Sequence, residues 1–150
     1  MTNRTGPVRL PLEGGCVCGG VRFLASSPPL RVTVCHCLWC QKRTGSAFGA
    51  EAVFGKHDIA LSGTTMAHYR HRSDESGRWV EQTFCSRCGS NLGLTLEAAP
   101  GIRSMAVGAF DEPLSPLEAG YPVRHVFMRS AAGWVDVPDT VERFEKHFRD

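Results

Sequence analysis

Long apolar runs are missing from this sequence. No stretch approaches the ~18 consecutive apolar residues a membrane helix needs, and the opening MTNRTGPVRLPLEGG has no apolar core segment. Neither a membrane span nor a secretory signal is therefore expected. Low-complexity tracts, fixed-period repeats and long linkers are absent too, which leaves one globular domain as the expectation. Sustained helical periodicity is scarce, and that argues against a helical bundle. Nor is there much excess charge: 17 Lys and Arg face 15 Asp and Glu, a formal net charge of +2.

What is present is ordinary in bulk and unusual in sulfur. A chain of 150 residues can bury roughly 70% of the surface its unfolded form exposes, so it needs no cross-links merely to fold. The 42% hydrophobic and 21% charged residues are those of a globular protein. Seven cysteines without a signal segment point to a reducing, cytoplasmic setting and to metal rather than disulfides. The odd count agrees, because pairing would leave one thiol over. Subtracting seven thiolate charges and adding four for two divalent ions takes the formal +2 to −1. The apparent basicity then vanishes, and with it the charge argument for a nucleic-acid partner.

Short β-prone runs punctuated by Gly, Pro and Ser dominate the middle of the chain. Strands are expected at 21–25, 32–36, 47–54, 64–71, 79–85, 92–98, 103–110 and 123–128, which makes the fold mainly β with antiparallel sheets. One short C-terminal helix is expected, with Asp139 capping TVERFEKHF and Val141, Phe144 and Phe148 on one face. DEPLSPLEAGYP (111–122) reads as a loop. The expected division is an N-terminal extension over 1–13 and a single zinc-binding domain over 14–150.

The cysteines fall into three clusters: Cys16 and Cys18 as C-x-C, Cys35, Cys37 and Cys40 as C-x-C-x2-C, and Cys85 and Cys88 as C-x2-C. In a C-x-C at a strand end, side chains two apart face the same side and can share an ion. In a C-x2-C a tight turn folds both sulfurs toward one point, and Gly19–Gly20 and Gly89 follow where the chain must turn. Zinc is the default metal for thiolate-only sites. Two pairs and one triplet divide most simply as four and three. Cys16, Cys18, Cys85 and Cys88 would close one tetrahedron. Cys35, Cys37 and Cys40 would hold a second ion and leave its fourth corner for water or substrate. Other readings stay open: the triplet as buried thiols only, or a fourth ligand supplied from elsewhere by His57, His68 or His71. His36, between two ligands, points to the opposite side of the strand and is expected to pack or hydrogen-bond there.

GGCVCGGVRF, VCHCLWCQKRTGSAF and TFCSRCGSNL together resemble the three signatures of the glutathione-dependent formaldehyde-activating enzyme family, whose domain also occurs in centromere protein V. The resemblance runs from about Gly14 to Phe144 and includes the looser tail HVFMRSAAGW followed by VERF. It implies a β-tent-like arrangement of antiparallel sheets stabilised by zinc. It also implies two zinc ions per chain, a structural one on Cys16, Cys18, Cys85 and Cys88 and a catalytic-type one on Cys35, Cys37 and Cys40. The implied activity is condensation of a small thiol such as glutathione with formaldehyde or a related carbonyl, which places the enzyme among carbon–sulfur lyases.

Three thiolates make a bound ion a weak Lewis acid toward water, so delivery of a substrate thiol is a better expectation than hydrolysis. Lys42 and Arg43 follow the triplet directly and are candidate contacts for a glutathione carboxylate, or else a solvated basic turn. Trp39 either shields the site or packs. His36 and Thr44 lie near in sequence for the alkoxide that addition would form. The alternative function is a non-catalytic, zinc-stabilised binding module. Exposed sheet edges also allow a homodimer.

Overall fold

A computed structural model describes residues 9–114 and 120–148. Eleven strands form two sheets among these residues. The smaller sheet joins β1 (Leu12–Gly15), β2 (Val21–Ala25) and β5 (Ile59–Gly63) in that order, all antiparallel. At one end of the larger sheet are β11 (Glu142–Arg143), β10 (Val123–Val126), β3 (Arg31–Cys35) and β4 (Gly49–Gly55). It continues through β9 (Ile102–Ala106), β8 (Asn91–Leu96) and β7 (Trp79–Cys85) to β6 (Met66–Arg72). Mainly β with antiparallel sheets is thus the observed class, and β2 and β7 carry the bounds expected from the sequence. The β10–β3 and β10–β11 pairs are parallel. The loop expected over 111–122 falls partly outside the described residues, at 115–119.

Strand alternation decides what each face of the large sheet does. Val32 and Val34 point into the core at 2% and 8% exposure, while Arg31, Thr33 and Cys35 sit half-buried on the other face. Ala52 and Phe54 of β4 join the core side, which packs on Phe23 and Ala25 of the small sheet together with Met105 and Phe110. The Phe23 and Phe110 rings meet edge to face with centroids 5.0 Å apart. Full burial of each such aromatic stabilises the sandwich by roughly 1.5–3 kcal/mol. Glu51, one residue out of phase with Ala52, lands on the opposite face and is nevertheless buried. The reason is the helix that lies over it.

That helix, α1 (Leu38–Thr44), is not among the sequence expectations, and neither is β1 or β5. Its N-cap is Cys37, whose sulfur accepts from the Cys40 N–H at 3.3 Å, and it stops at Gly45 with φ +64°. Cysteine is not one of the usual capping residues, so the start signal reads only as a chelate loop. The glycines of LEGG disguise β1 in a similar way. A Cβ on Gly14 would overlap the Phe23 ring and the Ala109 carbonyl oxygen, so this strand needs glycine where strands usually avoid it. β1 begins at Leu12, two residues inside the stretch expected to be an extension.

The C-terminal helix is corrected. Glu142 and Arg143 pair with Arg124 and His125 as a short parallel strand. The Phe144 N–H donates to His125 O at 2.9 Å, and the N–H groups of Phe127 and Met128 donate back to Lys146 O and Phe144 O, both at 3.0 Å. A helix of nine residues is marginal alone, and the open edge of β10 satisfies the same backbone groups with packing besides. Phe148 then lies under the guanidinium groups of Arg31 and Arg124. No helix among the described residues is long and apolar enough to cross a membrane.

Candidate metal centres

The first centre is built from two hairpin tips, one from each sheet. Between β1 and β2 the chain turns through Cys16–Gly19, with the Gly19 N–H donating to Cys16 O at 3.1 Å and Gly19 at φ +77°. Between β7 and β8 a turn one residue wider does the same: the Gly89 N–H donates to Cys85 O at 2.8 Å, with Gly89 at φ +78°. A left-handed residue at that point lets the chain fold its two sulfurs back onto one spot. The sulfurs of Cys16, Cys18, Cys85 and Cys88 all lie within 4.8 Å of one another. Cys16–Cys18 and Cys18–Cys85 separations are 3.5 and 3.6 Å.

Around these sulfurs the chain supplies donors. The Val21 N–H reaches Cys16 Sγ at 3.2 Å, Thr65 Oγ1 lies 3.1 Å from Cys85 Sγ, and Arg87 Nε donates to Cys18 Sγ at 3.2 Å. Ser90 Oγ is 3.2 Å from Cys88 Sγ, and that hydroxyl is the first of the contacts that hold the Cys88 thiol down to about 5. Cys16 and Cys85 are buried beside Val21 and Leu92, whereas Cys18 and Cys88 face outward.

The second centre sits on the helix-bearing face of the large sheet. Cys35 ends β3, Cys37 caps α1 and Cys40 lies in its first turn, which brings the three sulfurs within 4.8 Å of one another. Hydrogen bonds from the Cys35 and Cys40 thiols, then from the Cys40 and Trp39 backbone N–H groups, pull the Cys37 thiol strongly down. The Cys37 thiol, then the Cys40 thiol and burial, push Cys35 up. Among the described residues the group contains no histidine and no carboxylate. His57 is exposed, His68 bonds Thr83 Oγ1 at 3.1 Å, and His71 stacks on Trp39 with centroids 5.0 Å apart.

Both donor sets fit a divalent soft metal. At a Zn–S distance of about 2.3 Å, sulfurs of one tetrahedron stand roughly 3.8 Å apart, and thiolate-only coordination selects zinc over hard cations. The Cys16–Cys18 and Cys18–Cys85 separations of 3.5 and 3.6 Å lie close to that value. A groove of about 430 Å³ elsewhere, lined among others by Arg22, Leu24 and Ser62, contains none of the seven cysteines.

His36 is fully buried on the core side, as its alternation requires, with Nε2 2.9 Å from His125 Nδ1. Burial lowers both imidazoles, His125 to about 4, where the neighbouring His36 and Arg143 charges add to the effect. Thr44 Oγ1 is committed to Cys40 O at 2.8 Å. Gln41, which carried no signal in the sequence, ties α1 down by donating to His36 O at 2.9 Å and Ser130 O at 3.0 Å.

Lys42 and Arg43 part company. Lys42 is exposed in the last turn of α1. Arg43 turns inward, its side chain 3% exposed, and its guanidinium is ion-paired with Glu51, itself 5% exposed. With Glu51 already in place, Arg43 is not free as a surface contact for a substrate carboxylate. Glu51 offered no signal either, since one acidic residue in an apolar strand reads as solvent-facing.

Comparison with known proteins shows which family the chain belongs to. Residues 11–130 match the family described as glutathione-dependent formaldehyde-activating enzyme. A curated protein of Halomonas elongata, provisionally named as such an enzyme, is 31% identical over 138 residues, covering 84% of this chain and 80% of its own. The crystal structure of a Rhodobacter sphaeroides protein shares the fold, with a TM-score of 0.56 at 19% identity, over 75% of this chain and 98% of that one. The chain belongs to the glutathione-dependent formaldehyde-activating enzyme family.

Proposed function

We propose that this protein is a zinc-dependent carbon–sulfur lyase-type enzyme that condenses a small thiol, glutathione or a close relative, with formaldehyde or a related carbonyl. The single observation that carries the reading is the division of seven sulfurs into a group of four and a group of three, in a member of this family. The four-cysteine set is the structural zinc site and the three-cysteine set the catalytic-type one, giving two ions per chain. Cys35, Cys37 and Cys40 would hold the zinc ion, which would supply a Lewis acid that lowers the pKa of an incoming thiol.

The chain's own residues do the rest. Cys35 and Cys37 are half-buried and Cys40 is buried, so the triplet opens toward solvent on the Cys35–Cys37 side. Lys42 offers an exposed ammonium next to it for one of the substrate's carboxylates. Trp39, stacked on His71, walls the site against β6. The Thr44 hydroxyl and the buried His36 are occupied, so neither is assigned the alkoxide proton. None is needed from the protein: the proton lost by the thiol equals the proton gained by the new hydroxyl, and the sum is addition of S–H across C=O.

The test is adduct formation from glutathione and carbon-13 formaldehyde, followed by NMR with and without the zinc-loaded protein. A rate above the uncatalysed one, lost in Cys37→Ser, is expected. Equal rates with and without a protein carrying two ions would leave a non-catalytic module.

A further inference from the structure

We propose that the buried Arg43–Glu51 pair is the positioning element of the three-cysteine centre. Held by Glu51, the Arg43 guanidinium donates to Cys40 Sγ and keeps that sulfur in place as a metal ligand. This rests on reading the triplet as a metal centre.

The geometry separates this role from plain charge neutralisation. An arginine that only pairs with a carboxylate does best with two parallel N–H···O bonds. Here a single nitrogen, Nη2, bonds Glu51 Oε1 and also approaches Cys40 Sγ at 3.6 Å. Nε and Nη1 are buried and have no hydrogen-bond partner among the described residues. A bidentate arrangement has been forgone in favour of a bridge between carboxylate and sulfur. Arg43 lies three residues after Cys40 on α1, so the two share a face, and Glu51 meets them from β4 below.

Two further features protect the bridge. The Trp39 ring lies 5.3 Å from the guanidinium carbon, which keeps water off and strengthens the contact to sulfur. Gly49 leaves room for it: a Cβ there would lie 2.5 Å from Arg43 Nη2 and 3.1 Å from Glu51 Oε1. Apolar residues of similar volume would commonly give equal or better stability than a buried ion pair. What they would not provide is a donor on the thiolate. Partners of this kind fix the orientation of metal ligands, and losing one typically weakens metal binding 10–100-fold.

The experiment uses zinc- and cobalt-loaded full-length protein, with chelator competition for each ion and the sulfur-to-cobalt charge-transfer band as readouts. The double variant R43L/E51L removes the bridge and leaves no lone buried charge. It is expected to fold, to keep the four-cysteine ion, and to hold the second ion 10–100-fold more weakly. Its charge-transfer band should move to lower energy, because a sulfur without its donor gives up electrons more easily. R43K, which retains a cation opposite Glu51 without the fork, should fold and show the same band shift to a smaller degree, and it decides the matter if the double variant does not fold. Unchanged second-ion affinity and an unchanged band in folded variants would make the pair scaffold and overturn the proposal. Uptake of only one ion by the unaltered protein would instead sink the metal reading of the triplet, and this proposal with it.

Discussion

The sulfurs of Cys18 and Cys85 lie 3.6 Å apart although 67 residues separate them in the chain. One belongs to the hairpin tip of the small sheet and the other to that of the large sheet, so an ion held there clasps the two layers of the sandwich. The triplet is different in kind. Its three sulfurs come from six consecutive residues. On the proposed reading, the same chemistry would therefore have a global consequence in one centre and a local one in the other.

Cys85→Ser should unfold the domain, since a structural zinc contributes roughly 10–16 kcal/mol of apparent binding energy to folding. Cys37→Ser should leave a folded protein with one ion. Circular dichroism and metal analysis on both variants decide it. Loss of fold in Cys37→Ser would show the triplet to be scaffold.

Removing Glu51 strands the Arg43 charge in a site only 3% exposed. Breaking one side of a buried pair typically costs about 3–5 kcal/mol, so Glu51→Leu should lower the urea midpoint sharply while the double variant recovers most of the loss. Additive effects of the two substitutions would contradict the pairing.

Gly93 in β8 has φ +148°, and a Cβ there would overlap the Ser104 carbonyl oxygen of β9. Gly93→Ala forces a side chain both into an unfavourable backbone conformation and against the neighbouring strand. A destabilisation of at least ~1–3 kcal/mol is expected in denaturant unfolding. A neutral result would mean that the β8–β9 approach is looser than described.

His125 is held neutral, its pKa lowered from 6.5 to about 4 by burial and then by the charges of His36 and Arg143. The unfolded chain binds that proton more readily, so stability is full above pH 6.5 and falls as the pH drops toward 4. The slope is ~1.4 kcal/mol per unit and the total about 3 kcal/mol. His125→Asn should flatten the pH dependence between 7 and 5 by about one proton relative to the unaltered protein, while acid loss of metal affects both alike. Parallel slopes would remove His125 from the acid response.

What the residues alone determined was local. The spacing of seven cysteines sorted them into a four and a three because chelation by C-x-C and C-x2-C depends on turns only a few residues long. Period-2 runs at Val21–Ala25 and Trp79–Cys85 likewise declared their strands. Tertiary structure decided whatever required a partner far along the chain. It turned Arg43 inward because Glu51, eight residues on in another element, lies beneath α1. It drew the tail away from a helix because β10 had an open edge beside it. It joined His36 to His125 across 89 residues. Burial and backbone pairing are properties of the assembled layers, and no window of neighbouring residues contains them.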